Sequence, residues 1–191
     1  MFKPNYFYYG NIKFPEKEVE QVIAELKRSC EELLSRDEPL ISSYYLKQHQ
    51  RPDKIWNKKY AEFHENLVRQ IGMYTTTQYI YEFWSQFYNK GDGHAPHHHH
   101  MMNVANFSSI LSWIHFIKPT ETKCMKFLDC DGNEFYPPEQ NAGDIIVFPS
   151  YQWHIVEPKK DIGGRFICAG NLIFKHLDIV PTNIYKNGKN S

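Results

Sequence analysis

The spacing of apolar residues changes once along the chain, from a helical period to an alternating one. Residues 16–36 carry apolar side chains three and four positions apart, with acidic residues early and basic residues late, which predicts an amphipathic helix. Residues 54–71 repeat this pattern, and Gly72 suits the end of a second helix. Residues 1–14 alternate aromatic and polar side chains before Pro15 and are expected to form an edge strand or an extended arm.

After Gly72 the chain has the pattern of short β-strands separated by turns. Residues 75–89 are rich in β-branched and aromatic side chains and alternate between two faces. Short strands without intervening helices favour an antiparallel sandwich or barrel, with the two helices against one outer face. The further strands are expected at residues 109–118, 124–128, 134–136, 144–148, 154–157 and 165–174.

A chain of 191 residues with 41% hydrophobic content is long enough to bury one substantial core. We expect residues 1–73 to form a strand and a helical layer within the same domain as the β core, residues 74–176. Residues 177–191 turn polar and are expected to form a C-terminal tail.

Charge and cysteine content exclude several classes of function. The formal net charge is zero, so no global field attracts nucleic acid or an anionic membrane surface. The chain has no apolar run long enough to span a membrane, and it opens without an apolar signal segment. Its four cysteines lie far apart, which favours reduced thiols over a disulfide framework. We therefore expect a cytoplasmic protein.

Four consecutive histidines, residues 97–100, lie in the middle of the chain rather than at an end, where an expression tag would sit. Alternate side chains of an extended backbone face the same way, so the run offers His97 with His99 or His98 with His100. Two imidazoles on one face, joined by a third ligand, are typical of mononuclear iron, copper, nickel or zinc sites. The alternative interpretation is a solvated polar loop.

Two later residues extend this candidate site. On a jelly-roll scaffold a late strand lies beside an early one, so His154 is placed to supply the third ligand, although a hydrogen-bonded core histidine is the alternative. Arg165 opens a largely apolar strand, and a buried guanidinium needs an anionic partner. A bidentate carboxylate of a ligand would satisfy it, and so would a structural salt bridge.

Taken together, these segments resemble the small 2-oxoglutarate/Fe(II)-dependent oxygenases common in tailed phages and bacteria. The resemblance covers about residues 81–174 and leaves the N-terminal helices unmatched. It rests on a Trp, a Gly-Asp pair, a His-x-His pair, a strand similar to Ile-Ser-Gly, a Phe-Pro-Ser segment before a distal His, and an Arg six residues before an Asn. These positions are Trp84, Gly91, Asp92, His97, His99, Ser112, Phe148, Pro149, Ser150, His154, Arg165 and Asn171.

The resemblance implies a mainly β fold, a double-stranded β-helix, with two N-terminal α-helices packed on one face. The spacing from the Gly-Asp pair selects His97 and His99, which with His154 would hold Fe(II). The co-substrate 2-oxoglutarate would chelate the metal and pair its distal carboxylate with Arg165, and O2 would bind next. The implied activity is hydroxylation of a substrate with release of succinate and CO2, in the host cytoplasm if a phage encodes the chain.

Two departures from the family pattern bear on this interpretation. No Asp or Glu stands two residues after any histidine of the run, so the usual two-histidine, one-carboxylate triad is replaced by three neutral ligands. Ile167 also stands where many members have a small hydroxyl residue, so a second group for the distal carboxylate must come from elsewhere. Tyr79, Tyr81 and Ser112 are the candidates.

Two other functions stay open at this stage. One is a three-histidine cupin-type oxidase that does not use 2-oxoglutarate, in which Arg165 would bind the carboxylate of the substrate itself. The other is a non-enzymatic β-sandwich binding protein. The primary substrate, whether a protein side chain, a nucleobase or a small metabolite, and the oligomeric state are not set by the sequence.

Overall fold

Ten β-strands and two α-helices are found in the part of the chain that the computed structural model describes, residues 5–34, 41–71, 79–100, 107–160 and 163–175. The helices are α1 (Glu16–Leu34) and α2 (Asn57–Gln70), and short 3₁₀ segments span Ser43–Tyr45, Gln48–Gln50 and Pro52–Trp56. The strands are β1 (Phe7–Asn11), β2 (Ile41–Ser42), β3 (Tyr79–Tyr88), β4 (His94–His97), β5 (Phe107–Lys118), β6 (Met125–Leu128), β7 (Glu134–Phe135), β8 (Asp144–Pro149), β9 (His154–Val156) and β10 (Arg165–Lys175).

The strands form two antiparallel sheets. The larger has the order β1-β8-β5-β10-β3-β2, and the smaller has the order β4-β9-β6-β7. Strand β1 is the edge strand predicted from the N-terminal alternation, and β10 lies at the centre of the larger sheet, paired with both β5 and β3. This mainly β, antiparallel architecture with two helices confirms the predicted fold class.

Alternation along β3 separates two packing layers. Phe83 and Phe87 point to one face and pack with the buried sides of α1 and α2, where Leu26 and Leu67 are fully buried. Trp84 points to the other face and packs with residues of the smaller sheet. One face of the larger sheet therefore carries the helices, as predicted, and the other lines the space between the sheets.

His115 joins the N-terminal arm to the helical layer. It is completely buried, and its Nδ1 accepts a hydrogen bond from the Tyr60 hydroxyl at 2.8 Å. Its Nε2–H donates to the carbonyl of Ile12 at 2.7 Å, which fixes the chain just after β1. This histidine is a satisfied core residue, and its role is structural.

Gly170 on β10 lies where no side chain fits. A Cβ there would come within 2.3 Å of the Glu82 carbonyl oxygen and 2.6 Å of the Trp113 ring. Both neighbours are held in place, one as backbone of β3 and the other as a fully buried ring. The glycine therefore lets β10 and β3 approach closely beside the residues that line the interior.

Some expectations lie outside the described residues: the end of the first helix at residues 35–36, Gly72 as the stop of the second, and the polar tail. Within the described ranges, no helix is both long and apolar enough to cross a membrane. All four cysteines are unpaired in the structure, three of them buried and Cys130 exposed.

Candidate metal centre

A tight turn between β3 and β4 sets the position of the histidine run. Gly91 adopts a φ of 80°, a conformation that suits glycine, and the Asp92 carboxylate accepts a hydrogen bond from the Asn89 backbone N–H at 2.6 Å. Strand β4 then pairs with β9 so that His97 lies opposite His154. The Gly-Asp pair therefore shapes the turn that positions β4 and its histidines opposite β9.

His97, His99 and His154 form one cluster. Each ring offers a nitrogen, and these three atoms lie within 4.8 Å of one another. The Nε2 atoms of His99 and His154 are 3.2 Å apart, and the rings of His97 and His154 have centroids 4.2 Å apart. The cluster contains no carboxylate among the residues that the structure describes. Three converging imidazole nitrogens are a donor set suited to a divalent transition metal.

Backbone carbonyls fix the tautomers of two of these rings. His97 Nδ1–H donates to the carbonyl of Ala95 at 2.8 Å, and His154 Nδ1–H donates to the carbonyl of Gln152 at 3.1 Å. In a neutral imidazole the other nitrogen, Nε2, then carries the lone pair. Metal-binding histidines are commonly oriented in this way.

Burial keeps these histidines neutral. It lowers the pKa of His99 to about 4 and that of His97 below its usual value. The pKa of His154, which is almost fully buried, is lowered well below its usual value, by burial first and then by the other two rings. A neutral imidazole is the form that binds a metal.

The other two histidines of the run lie outside the cluster. His98 and His100 are exposed, and the ring of His98 packs edge-on against Trp153 with centroids 4.7 Å apart. Of the two pairs left open by the sequence, the structure brings together His97 and His99.

Arg165 is buried, with 5% of its surface exposed, yet its guanidinium is only partly satisfied. Nη2–H donates to the carbonyl of Asp92 at 2.7 Å, and the guanidinium carbon lies 4.5 Å from the centre of the Tyr88 ring. Its Nε is buried without a hydrogen-bond partner. No described acidic side chain forms an ion pair with it, so the salt-bridge alternative is not realised there.

Tyr88 and His94 connect Arg165 to the cluster. The Tyr88 hydroxyl lies 3.3 Å from His94 Nδ1, and the His94 ring is 5.2 Å from that of His97 between centroids. Burial lowers the pKa of His94 to about 4, so this ring is neutral too. Sequence reasoning missed Tyr88, although period-two alternation places it on the same face of β3 as Trp84.

Two cavities border these groups. The histidine cavity, about 480 Å³, is lined by Ser42, Tyr44, Tyr45, Glu82, Trp84, Gln86, His94, Ala95, Pro96, His97, His98, His99, His100 and Asn171. The arginine cavity, about 30 Å³, is lined by Arg165 and Tyr88 together with Ile114, Phe116, Pro119, Thr120, Thr122, Cys124, Met125, Gln140, Val156 and Ile167. Arg165 and the cluster thus face neighbouring cavities with Tyr88 and His94 between them.

The structure does not bring Ser112 or Tyr81 to Arg165, so their prediction as partners of the same carboxylate is wrong. Ser112 pairs with Asn171, six residues along β10 from Arg165, or about 20 Å at the usual rise of a strand. Tyr81 points to the helix-covered face, where its ring stacks on His64 with centroids 4.2 Å apart. Tyr79 packs against this helix-covered core as well.

No protein-family model matches the sequence, and no curated protein matches it either. Solved structures do resemble the fold. A Pseudomonas putida prolyl-4-hydroxylase aligns with 90% of this chain and 92% of its own, with a TM-score of 0.55 and 16% identity. The viral collagen prolyl hydroxylase of Paramecium bursaria Chlorella virus-1, in complex with 2-oxoglutarate, aligns over 90% and 96%, with a TM-score of 0.55 and 15% identity.

HygX from Streptomyces hygroscopicus, solved with nickel and 2-oxoglutarate bound, aligns with 91% of this chain and 83% of its own, with a TM-score of 0.55 and 10% identity. At such identities the likeness establishes the fold alone. The chain has the double-stranded β-helix of the 2-oxoglutarate/Fe(II) oxygenases, which is the fold that the sequence resemblance implied.

Proposed function

We propose that the protein is a 2-oxoglutarate- and Fe(II)-dependent dioxygenase that hydroxylates its substrate and releases succinate and CO2. The observation that carries this proposal is the buried, partly unsatisfied guanidinium of Arg165, linked by Tyr88 and His94 to a cluster of neutral histidines. A metal-binding cluster and an anion-binding arginine inside one β-helix are the two groups that this chemistry requires.

The metal would be held by His97, His99 and His154. The Nε2 atoms of His97 and His154 supply lone pairs, because the Nδ1–H groups of these two rings are already donated to backbone carbonyls, and His99 would supply the third ring nitrogen. Three protein ligands leave positions on the metal for a chelating co-substrate and O2. When bound, the iron and 2-oxoglutarate supply the oxidising power, while the protein orients them.

Arg165 would hold the distal carboxylate of 2-oxoglutarate. Its unpartnered Nε and its fork geometry suit a bidentate carboxylate, and the apolar lining of the arginine cavity strengthens such a pair. Thr120 and Thr122 line the same cavity and bring to it hydroxyl groups, which Ser112 and Tyr81 do not. The cavity is small, about 30 Å³, so binding would require side chains of its own lining to move aside.

Side chains around the cluster keep water from the reacting groups. Trp84 and Phe148 contact the rings of His99 and His154, with centroids 5.5 Å and 5.1 Å apart. The histidine cavity borders the cluster and would offer the route for a primary substrate. Its described lining contains no Lys or Arg, which favours a protein side chain or a small metabolite over a nucleobase within a phosphate chain.

A second candidate is a three-histidine oxidase of the cupin type that does not use 2-oxoglutarate. The absence of a carboxylate from the described cluster favours it, because three neutral ligands leave more positive charge on the metal. Arg165 would then bind the carboxylate of the substrate itself. With four unpaired thiols, either enzyme fits a reducing compartment, and we place it in the cytoplasm, that of the host if a phage encodes the chain.

Succinate formation from 2-oxoglutarate under Fe(II) and O2 tests the proposal. We expect turnover in the wild-type chain and its loss in Arg165→Ala, with no loss in Arg69→Ala, which removes an exposed helical arginine. Anaerobic addition of Fe(II) and 2-oxoglutarate should also give a weak visible charge-transfer band. Metal binding without succinate or the band would favour the cupin-type oxidase, and no metal binding would leave a binding protein.

A further inference from the structure

A row of polar side chains crosses the interior of the larger sheet beside the histidine cluster. Ser150, Ser112, Asn171 and Glu82 come from the neighbouring strands β8, β5, β10 and β3, Ser150 following the end of β8. Ser112 Oγ lies 3.0 Å from Ser150 Oγ and donates to Asn171 Oδ1 at 2.8 Å. This bond turns the amide nitrogen of Asn171 towards Glu82, where Nδ2 donates to Oε1 at 2.8 Å.

The carboxylate of Glu82 ends this row in the histidine cavity. It forms no ion pair with any residue in the described ranges, and the cavity lining given above has no Lys or Arg. It does not belong to the group of converging metal ligands. Three buried residues thus orient a carboxylate that forms no direct ion pair in the described ranges and shares a cavity with the cluster. Glu82 also lines a second cavity, together with Arg51 and Lys54, neither of which is within ion-pair distance of it.

Aromatic rings stand next to this carboxylate in the same cavity. Tyr44 and Trp84 lie edge to face with centroids 5.5 Å apart, and Tyr45 packs edge-on against Tyr44 at the same distance. Tyr44 is 57% exposed and Tyr45 is 41% exposed, and both rings line the cavity. Aromatic faces beside a carboxylate attract alkylammonium and guanidinium groups through the ring quadrupole.

We propose that the primary substrate carries an ammonium or guanidinium group, which pairs with Glu82 and rests against Tyr44 and Trp84. The carbon chain that bears this cation would extend from Glu82 towards His97 and His99. Glu82 is then a substrate-binding residue, with Asn171 and Ser112 as positioning residues. That the bound molecule is then hydroxylated rests on the proposed function. That the site binds a cation does not.

Binding to the full-length chain tests the proposal directly. The probes are acetyl-Gly-Lys-Gly-amide, the same peptide with norleucine in place of lysine, and n-butylammonium chloride, each titrated by calorimetry at low salt. We expect the lysine peptide to bind at least about tenfold more tightly than the norleucine peptide, because only the former makes a charge-assisted hydrogen bond. Binding of n-butylammonium as strong as that of the lysine peptide would identify a free amine as the source, and weaker binding a peptide side chain.

Glu82→Gln should abolish the preference for the cation while keeping the Asn171 contact, because the amide oxygen still accepts. Glu62→Gln, on the exposed side of α2, is the matched control and should keep the preference. Melting temperature and metal binding should be unchanged in both variants. Equal binding of the two peptides, no binding of any cationic probe at millimolar concentration, or an undiminished preference in Glu82→Gln would each overturn the inference.

Succinate assays on the same samples separate the two proposals. Glu82-dependent cation binding without succinate formation would contradict the proposed function and support the binding site. Succinate formation without a Glu82-dependent preference would support the proposed function and contradict the cation-binding site.

Discussion

The Nε2 atoms of His99 and His154 lie 3.2 Å apart, although the two residues are 55 positions apart in the chain. His154 Nδ1–H is donated to the carbonyl of Gln152, so in the neutral ring its Nε2 can only accept. His99 therefore donates to His154 across the centre of the cluster. A metal ion would replace this hydrogen bond with two coordinate bonds once the His99 proton has moved from Nε2 to Nδ1. The ring nitrogens already converge, which makes the cluster a preformed site.

Single substitutions within the histidine run test this arrangement. We expect His99→Ala to weaken Co(II) binding by at least about a hundredfold, since loss of a ligand costs more than loss of an orienting group, typically 10–100-fold. His100→Ala should bind as the wild type does, because its ring is exposed. Titration calorimetry measures both. Loss of binding in His100→Ala with His99→Ala unaffected would reverse the assignment.

Arg165→Lys tests how the buried guanidinium is used. Lysine keeps the charge but offers no planar fork, so a bidentate carboxylate contact would be lost. We expect the KM for 2-oxoglutarate to rise by about tenfold or more, with kcat changed less, because the group acts in binding. Steady-state succinate formation gives both constants. An unchanged KM would show that the distal carboxylate is held elsewhere.

The pH dependence of stability follows from buried histidines away from the cluster. Burial lowers the pKa of His64 from 6.5 to about 4, so the ring stays neutral in the folded state while the unfolded chain is protonated below pH 6.5. The protonation of His64 therefore does not affect the free energy of unfolding above pH 6.5, and it lowers this free energy as the pH decreases towards 4. His64 contributes about 1.4 kcal/mol per pH unit to this fall.

His64→Phe keeps an aromatic ring against Tyr81 and removes the titrating group. We expect the variant to lose about 1.4 kcal/mol per pH unit of slope between pH 6 and 4, with little change at pH 7. Urea denaturation at several pH values measures the slope. Parallel wild-type and variant profiles would mean that His64 is protonated in the folded state.

Gly170→Ala tests the close approach of β10 and β3. The added methyl group would meet the Glu82 carbonyl and the Trp113 ring, neither of which has room to withdraw. We expect a loss of about 1–3 kcal/mol in the free energy of unfolding, as for other overpacked interiors. Urea denaturation measures it, and an unchanged midpoint would indicate a looser contact than the structure describes.

Much of this fold could be predicted from local sequence features. The strand expected at residues 165–174 is β10, Arg165–Lys175, because alternation and turn residues act over a few positions. The grouping of His97 and His99 follows from the same period of two. Their distances to other groups do not, because these depend on which strands pair and in which register.

The second partner of Arg165 illustrates the difference. The hydroxyl of Tyr81 makes it a candidate partner of the carboxylate, but its side chain lies on the face of β3 that packs against the helices. Tyr88 is the tyrosine that contacts the guanidinium of Arg165. Ser112 faces the interior, yet the pairing of β5 with β10 sets it at the far end from Arg165. Glu82 could not be identified as a binding residue from the sequence, because single acidic residues are common in strands. Its role depends on the side chains that lie beside it in the fold.

The central position of β10 has a consequence for how the chain is made. This strand is the last one described along the chain, yet β3 and β5 contact each other only through it. During synthesis both must wait, with exposed edges, until residues 165–175 have left the ribosome. Contacts between distant segments of this kind slow folding, so the nascent chain is exposed to aggregation until β10 is available for pairing.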